Sequence, residues 1–276
     1  MSLDRFRPRR LVWWLLGRAR ARWAVRMREL PLVGGVVHAL SHRLWPKGRR
    51  AWVVVESGAA RGLALLLDPR FDAKFASGEL EPELQARLPA LVGPGAVVWD
   101  VGAHVGFFAL SLARVVGPDG LVVAFEADDA NVEALRAAVD RNGLTNVEIR
   151  SVAVWSTPGT VEFERRSDGA GATHGAVVDS GSGVTVLATS LDAEAKERRS
   201  PDLVKIDVEG AEEQVLLGAR RLLMEHRPVV VCEVHVTRRG HEDLLPRVRS
   251  LLEQAGYTVE ELDPGRRPVH LLATPL

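Results

Sequence analysis

The chain has a single cysteine, Cys232, among its 276 residues. It can form no intramolecular disulfide, and nothing points to an oxidising compartment. Cys232 lies inside the apolar run VVVCEV and reads as a buried structural thiol rather than a nucleophile. The N-terminal region also lacks a long hydrophobic run. Its apolar stretch, Leu11 to Leu16, is far shorter than the roughly 20 residues a bilayer crossing needs. No small-residue cleavage site follows it, so a secretory signal is not expected and a cytoplasmic location is. There is no internal repeat, no Gly-x-Gly-x-x-Gly and no net charge.

The zero net charge hides an asymmetry. Residues 1–50 carry 13 Lys and Arg against Asp4 and Glu29, so this head is +11 and the remaining 226 residues are −11. Its opening stretch, RFRPRRLVWWLLGRARARWAVRMREL, has Val12, Leu15, Leu16, Ala19, Trp23 and Met27 on one side of a helical wheel. Most arginines lie off that side, although Arg26 intrudes. Two readings stay open: an interfacial helix at the inner face of an anionic membrane, or a helix packed on the body or on a second subunit. Nucleic acid is not an expected partner, since no recognised module accompanies the arginines.

The body reads as α/β. Apolar content of 46% is ordinary for a globular core. Three regions are expected: a basic helical extension over 1–50, a hairpin and helix over 51–95, and the main domain over 96–276. Trp52 to Val55 and Leu63 to Leu67 read as a hairpin packed on the main sheet. A helix is expected from Glu81. Strands are expected over Ala96 to Val101, Leu121 to Glu126, Val147 to Val154, Leu203 to Val208 and Val229 to His235, then Tyr257 to Leu262 and Val269 to Ala273. Helices alternate with them over Gly106 to Val116, Asp129 to Arg141, Ala211 to His226 and Asp243 to Ala255. This alternation predicts a parallel sheet covered on both faces. The Gly/Ser-rich insert Arg165 to Gly183 is read as a flexible loop or a lid. Its His174 is either a lid residue reaching the substrate or a solvated loop histidine.

In such a sheet ligands bind beyond the carboxyl ends of the strands. Asp100, Glu126, Asp207, Glu209, Glu233 and His235 all fall at predicted strand ends. AVVWDVGAHVGFFAL looks like a buried strand turning tightly into a helix. Gly102 and Gly106 would let a ligand approach where a Cβ would push it away. Glu126, roughly 20 residues on, is placed to accept hydrogen bonds from ribose hydroxyls. The glycine pattern is Gly-x-x-x-Gly, not the one that accommodates a pyrophosphate. Asp100 would repel a pyrophosphate but suits a ligand with a sulfonium and an ammonium, so S-adenosylmethionine is the expected cofactor.

DVGAHVGFFAL, VVAFEADDANVEALRAAVDRNG, SLD at Ser190 to Asp192, DLVKIDVEGAEEQVLLGARRLL and VVVCEVH resemble the FkbM-type family of S-adenosylmethionine-dependent methyltransferases. The resemblance covers about Asp100 to Tyr257, KIDVEGAE is its most specific block, and the basic head lies outside it. It implies a Rossmann-like class I methyltransferase sandwich with a seven-stranded, mostly parallel sheet. It also implies methylation of a hydroxyl on a sugar, glycolipid or natural-product acceptor. Carried over to this chain, Asp100, Gly102, Ala103, His104 and Gly106 line the cofactor, Glu126 and Ala127 hold its ribose end, and Ala153 passes the adenine. Asp207 sits by the methionine portion and the transferred methyl. The family usually has asparagine where this chain has His104.

Transfer of a methyl to a hydroxyl asks for positioning, and for a base or a cation that lowers the hydroxyl's pKa. Asp207, Glu209, Glu233 and His235 are the catalytic candidates. His235 has the intrinsic pKa of a base near neutrality. The pairs Asp207/Glu209 and Glu233/His235 are spaced to converge on a divalent metal. Glu209 is equally placed to cap the following helix, and Glu233 and His235 to form a pair that shapes the pocket. Lys205 is read as neutralising a carboxylate such as Asp207. Two other readings compete with the methyltransferase one: a nicotinamide-dependent oxidoreductase on a similar sheet, and a non-catalytic membrane-associated binding module.

Overall fold

The computed structural model describes residues 50–68, 72–167, 173–177, 183–236 and 243–276. The basic head up to residue 49 lies outside the described residues, and with it the two readings of its helix.

The described chain opens with β1 (Ala51–Val54) and β2 (Ala64–Leu67), an antiparallel hairpin. It pairs with no strand of the main sheet. Val55, Leu63, Leu65 and Leu67 instead enter the apolar layer on one side of that sheet. The hairpin thus packs on the main sheet through its apolar face rather than by strand pairing. Two helices follow, α1 (Ala73–Ser77) and α2 (Pro82–Leu91).

Next come β3 (Val97–Val101), α3 (Phe107–Val116), β4 (Leu121–Glu126), α4 (Asp129–Arg141) and β5 (Val147–Ser151). All five residues of β3 are buried, as expected where helices cover both faces. Helix α4 starts where the Asp128 side chain accepts from the amides of Ala130 and Asn131, a cap worth about 1 kcal/mol. Asn142 ends that helix and also bonds both backbone groups of Ala64, pinning the hairpin to the body.

The strand expected over Val147 to Val154 breaks at Val152. Its second piece, β6 (Ala153–Val154), leaves the main sheet to pair with β9 (Val184–Thr189). With β7 (Gly159–Ser167) and β8 (Thr173–Val177) these form a four-stranded sheet in the order β6-β9-β7-β8. The insert read as a loop therefore contains part of β7 and all of β8. The side chain of His174 lies outside what is described.

The chain returns to the main sheet through α5 (Leu191–Glu194), β10 (Leu203–Ile206), α6 (Glu212–Leu217), α7 (Arg220–Glu225) and β11 (Val229–Val234). The single helix expected over Ala211 to His226 is two short ones. They break at Gly218, where a Cβ would lie 2.2 Å from the Trp155 carbonyl oxygen. Asp192 then accepts from the amides of Arg221 and Leu222 and restarts the helix. Helix α8 (Leu244–Gln254), β12 (Tyr257–Glu261) and β13 (Val269–Pro275) complete the chain.

The main sheet has seven strands in the order β12-β13-β11-β10-β3-β4-β5. Only β13 runs antiparallel to its neighbours. From β3 the chain builds outward through β4 and β5, then returns to build through β10 and β11 on the other side. The switch point between β3 and β10 is where such sheets open a crevice. Residue parity divides the core. Val97, Trp99, Val101, Val123 and Phe125 face one apolar layer, while Val98, Val122, Ala124, Leu203 and Val231 face the other. The second face also receives Asp100, Lys205, Glu126, Glu233 and His270, because each is an even number of residues from a neighbour on that face. The polar groups thus share one side of the sheet, toward the strand ends.

Candidate active site

These groups line a cleft of about 540 Å³, a size ordinary for a small-molecule site. Asp100, Gly102, Ala103, His104, Glu126 and Ala127 form its wall at the ends of β3 and β4. Asp207, Glu209, Glu233 and His235 form the opposite wall, at β10 and β11, and Ala153 of β6 also lines the cleft. Of the residues expected from the sequence, Gly106 alone is not part of the lining.

The two glycines also have a packing role. A Cβ on Gly102, at φ +85°, would lie 1.8 Å from the carbonyl oxygen of Asp207. A Cβ on Gly106, at φ +91°, would meet Leu135 and Leu110. The turn is tight because it packs against the end of β10 and against α3 and α4, and Gly102 at the same time lines the cleft. His104 sits between them at φ 51°. Asparagine and histidine both tolerate this left-handed region better than most residues, which accounts for the exchange of one for the other here.

Glu126 is held at both oxygens. The His104 amide donates to Oε2 at 2.8 Å and the Asp128 amide to Oε1 at 2.8 Å, with Asn131 Nδ2 at 3.5 Å. Burial pushes its pKa up to about 7 against the pull of those amides. Asp100 is buried and its pKa is raised, mainly by desolvation and secondarily by Asp207, against the opposing field of Lys205. The Lys205 ammonium lies 3.6 Å from Asp100 Oδ1 and 3.4 Å from Asp207 Oδ2, over the ring of Phe108. Burial alone would lower the lysine's pKa, but Asp207 and Asp100 hold it raised. Lys205 is a resident cation tying the two walls together.

The second wall is organised by Glu212, which the sequence reading did not single out. Its carboxylate is fully buried, accepts from the Gly210 amide at 2.9 Å and pairs with His235 Nδ1 at 2.8 Å. His235 Nε2 is thereby aimed at Glu209, Glu233 and Asp207, at 3.4, 3.7 and 3.9 Å. Burial would lower the imidazole's pKa, but the Glu212 bond and the fields of Asp207 and Glu209 push it up to about 10. A pKa raised this far favours the imidazolium near neutrality, where the sequence reading starts from the intrinsic pKa of a base. The helix begins at Ala211, whose side chain makes no cap, and Glu212 takes the Gly210 amide. Glu209 itself adopts φ 57° and turns toward His235.

Two more residues were missed. Glu81 enters the cleft from φ 41° just before Pro82, and His270 lies opposite Glu233 across the β11–β13 pair. His270 is pushed up to about 9, because Glu233 and Glu81 outweigh its burial. Glu233 is raised to about 7, first by burial and then by Asp207. Among the described residues, three of the four non-glycine residues with positive φ, Glu81, His104 and Glu209, line this one cleft.

A seven-stranded sheet with a single antiparallel strand, a switch-point cleft and a carboxylate at the end of the second parallel strand define a class I S-adenosylmethionine-dependent methyltransferase fold. The sequence profile described as "Methyltransferase FkbM domain" matches residues 100–259, and the chain belongs to that family. Family membership sets aside the nicotinamide-dependent reading. Among curated proteins the chain is similar to hexuronic acid methyltransferase AglP of Haloferax volcanii, 26% identical over 197 residues, covering 67% of this chain and 80% of that protein. Among solved structures it is similar to methyltransferase FkbM from Methylobacillus flagellatus, at 20% identity and a TM-score of 0.48. That match covers 64% of this chain, which spans only 43% of the other. A precorrin-6y C5,15-methyltransferase from Geobacter metallireducens matches at 16% identity and a TM-score of 0.46, covering 71% and 90% of the two chains. Among the described residues no helix is long and apolar enough to cross a membrane.

Proposed function

We propose that this chain is an O-methyltransferase that transfers the methyl of S-adenosylmethionine to a hydroxyl of a sugar, glycolipid or natural-product acceptor. The observation that carries this reading is the division of the cleft. Glu126 on β4 and Glu233 on β11 stand three strand spacings apart, about 14 Å. One wall suits a nucleoside and the other is built of proton-accepting and proton-holding groups. The name of the Haloferax volcanii relative, a hexuronic acid methyltransferase, favours a sugar acceptor.

The residues fit the cofactor. Glu126 is pre-oriented by two backbone amides to receive ribose hydroxyls, and Ala103, Ala127 and Ala153 leave room beside it. When bound, S-adenosylmethionine supplies an electrophilic methyl group on sulfur. Asp207, beside the glycine turn, takes the proton of the acceptor hydroxyl, and Glu209 orients that hydroxyl. The His235 imidazolium, locked by Glu212, keeps these carboxylates together at a strand end where they would otherwise repel one another. Lys205 does the same one layer deeper. Much of the acceleration is then positional, since an in-line transfer depends on how the hydroxyl is held.

The direct assay is transfer of labelled methyl from S-adenosylmethionine to a panel of sugar, lipid-linked and polyketide acceptors. Incorporation into a hydroxyl supports the reading. Labelling confined to amines, or none across the panel while S-adenosylhomocysteine binds, would contradict the acceptor class.

A further inference from the structure

We propose that Glu81, Glu233 and His270 form a binding site for one divalent transition-metal ion of the Mn²⁺ or Zn²⁺ type, opening onto the acceptor side of the cleft. His270 is 3% exposed and its Nε2 makes no hydrogen bond. The atoms facing it, Glu233 Oε2 at 3.3 Å and Glu81 Oε2 at 3.4 Å, are buried and also make none. All three atoms lie within 4.8 Å of one another.

These separations fit ligands better than an ion pair. A charge-assisted N–H···O bond would close to roughly 2.7–2.9 Å. Oxygen and nitrogen ligands about 2.1 Å from a tetrahedral ion stand about 3.4 Å apart. His235 provides the contrast within the same molecule, since its Nδ1 does close on Glu212, to 2.8 Å. The convergence comes from two separate features of the fold: the β11–β13 register places His270 opposite Glu233, and the left-handed backbone of Glu81 turns it inward. A donor set of one imidazole and two carboxylates suits Zn²⁺ or Mn²⁺ better than Mg²⁺, which favours oxygen ligands and retained water.

A second trio, Asp207, Glu233 and His235, shares Glu233. There Asp207 is already paired with the Lys205 ammonium at 3.4 Å, and His235 Nε2 is 3.7–3.9 Å from the other two. The geometry therefore favours the His270 trio. Glu81 and Glu233 line the cleft, so the ion's open positions would face the acceptor, where they can take a hydroxyl oxygen and lower its pKa. The site itself stands apart from the methyl-transfer reading; only this use of it rests on that reading.

The test uses the full chain, stripped with a chelator and titrated with Mn²⁺ while the free-ion electron paramagnetic resonance signal is followed, and separately with Zn²⁺ by calorimetry. S-adenosylhomocysteine binding is measured on every sample as a check of the fold. One ion should bind the wild type, H270Q and E81Q should each weaken it at least tenfold, and H235Q should stay within about threefold. Failure of both ions to bind a wild type that binds S-adenosylhomocysteine would overturn the metal site alone. So would unchanged affinity in H270Q and E81Q, or loss in H235Q only. A wild type that takes up the ion but not S-adenosylhomocysteine would contradict the cofactor assignment instead.

Discussion

The two walls of the cleft are built on opposite plans. At β3 and β4 the ligand-facing carboxylate, Glu126, is oriented by backbone amides of the same β-α-β unit. Its geometry is set within one continuous stretch, residues 97–131. At β10, β11 and β13 the carboxylates are oriented by other charged side chains: Lys205 for Asp207, His235 for Glu209, His270 for Glu233 and Glu81. That wall gathers residues from 81 to 270. The first plan makes a locally encoded wall, which on the proposed function holds the cofactor. The second makes an electrostatic network whose members depend on one another, so a single substitution there redistributes charge across the whole wall.

The comparison is sharpest if the two walls fail differently. Asp207→Asn should lower kcat by about a thousandfold, in the range expected for loss of a general base, while S-adenosylhomocysteine binds within about threefold of wild type. Single-turnover transfer with labelled cofactor and calorimetry on the same protein would check it. Glu126→Ala should do the reverse, weakening S-adenosylhomocysteine by about 100-fold, as expected for two lost hydrogen bonds to a charged group. At saturating cofactor its kcat should remain near wild type.

Glu212→Gln tests whether the second wall is a network. Removing the partner of the His235 imidazolium should bring that pKa down from about 10 toward the ordinary imidazole range. Histidine resonances followed by NMR across pH 6–11 should show this, with kcat lowered about tenfold, a positioning effect rather than loss of the base. A His235 titration left near its wild-type value would mean that Asp207 and Glu209 hold the proton without Glu212. The smallest effect expected is on the first wall. Glu126 titrates near 7 and is needed as a carboxylate, so the protonated fraction opposes cofactor binding as pH falls through that value. Affinity for S-adenosylhomocysteine should be flat above about pH 8 and fall by up to tenfold per unit below about 6, where each unit costs up to about 1.4 kcal/mol. In Glu126→Gln this slope should vanish.

The same division explains what could be read from the sequence. The β3 turn, Glu126 and the KIDVEGAE block are contiguous, and strand and helix signals around them are strong, so the parallel core and most of the cleft lining were legible. Contiguity was not enough for the reasons behind them. Gly102 looked like a concession to ligand, yet it accommodates the Asp207 carbonyl, a contact between strands more than 100 residues apart. Gly218 sat inside a helical pattern, and only packing against Trp155 breaks that helix. Val147 to Val154 read as one strand because nothing local marks the switch from one sheet to another.

The remaining residues of the second wall had no local signal. Glu81 depends on a left-handed backbone at a non-glycine residue, and His270 on the register of the antiparallel β13 against β11. Glu212 lay inside the most specific motif, but its role follows from reaching His235 on another strand. The raised pKa of His235 had no local signal for the same reason: four carboxylates surround it, three from the stretch 207–212 and only Glu233 from its own strand.

The central claim is that the Glu126 wall holds S-adenosylmethionine while the Asp207 wall does chemistry. Calorimetric titration of S-adenosylhomocysteine into wild type, Glu126→Ala and Asp207→Asn, in one buffer at pH 8, tests it most directly. The account predicts tight binding to wild type, about 100-fold weaker binding to Glu126→Ala and nearly unchanged binding to Asp207→Asn. No binding heat for the wild type, or equal weakening by the two substitutions, would contradict it.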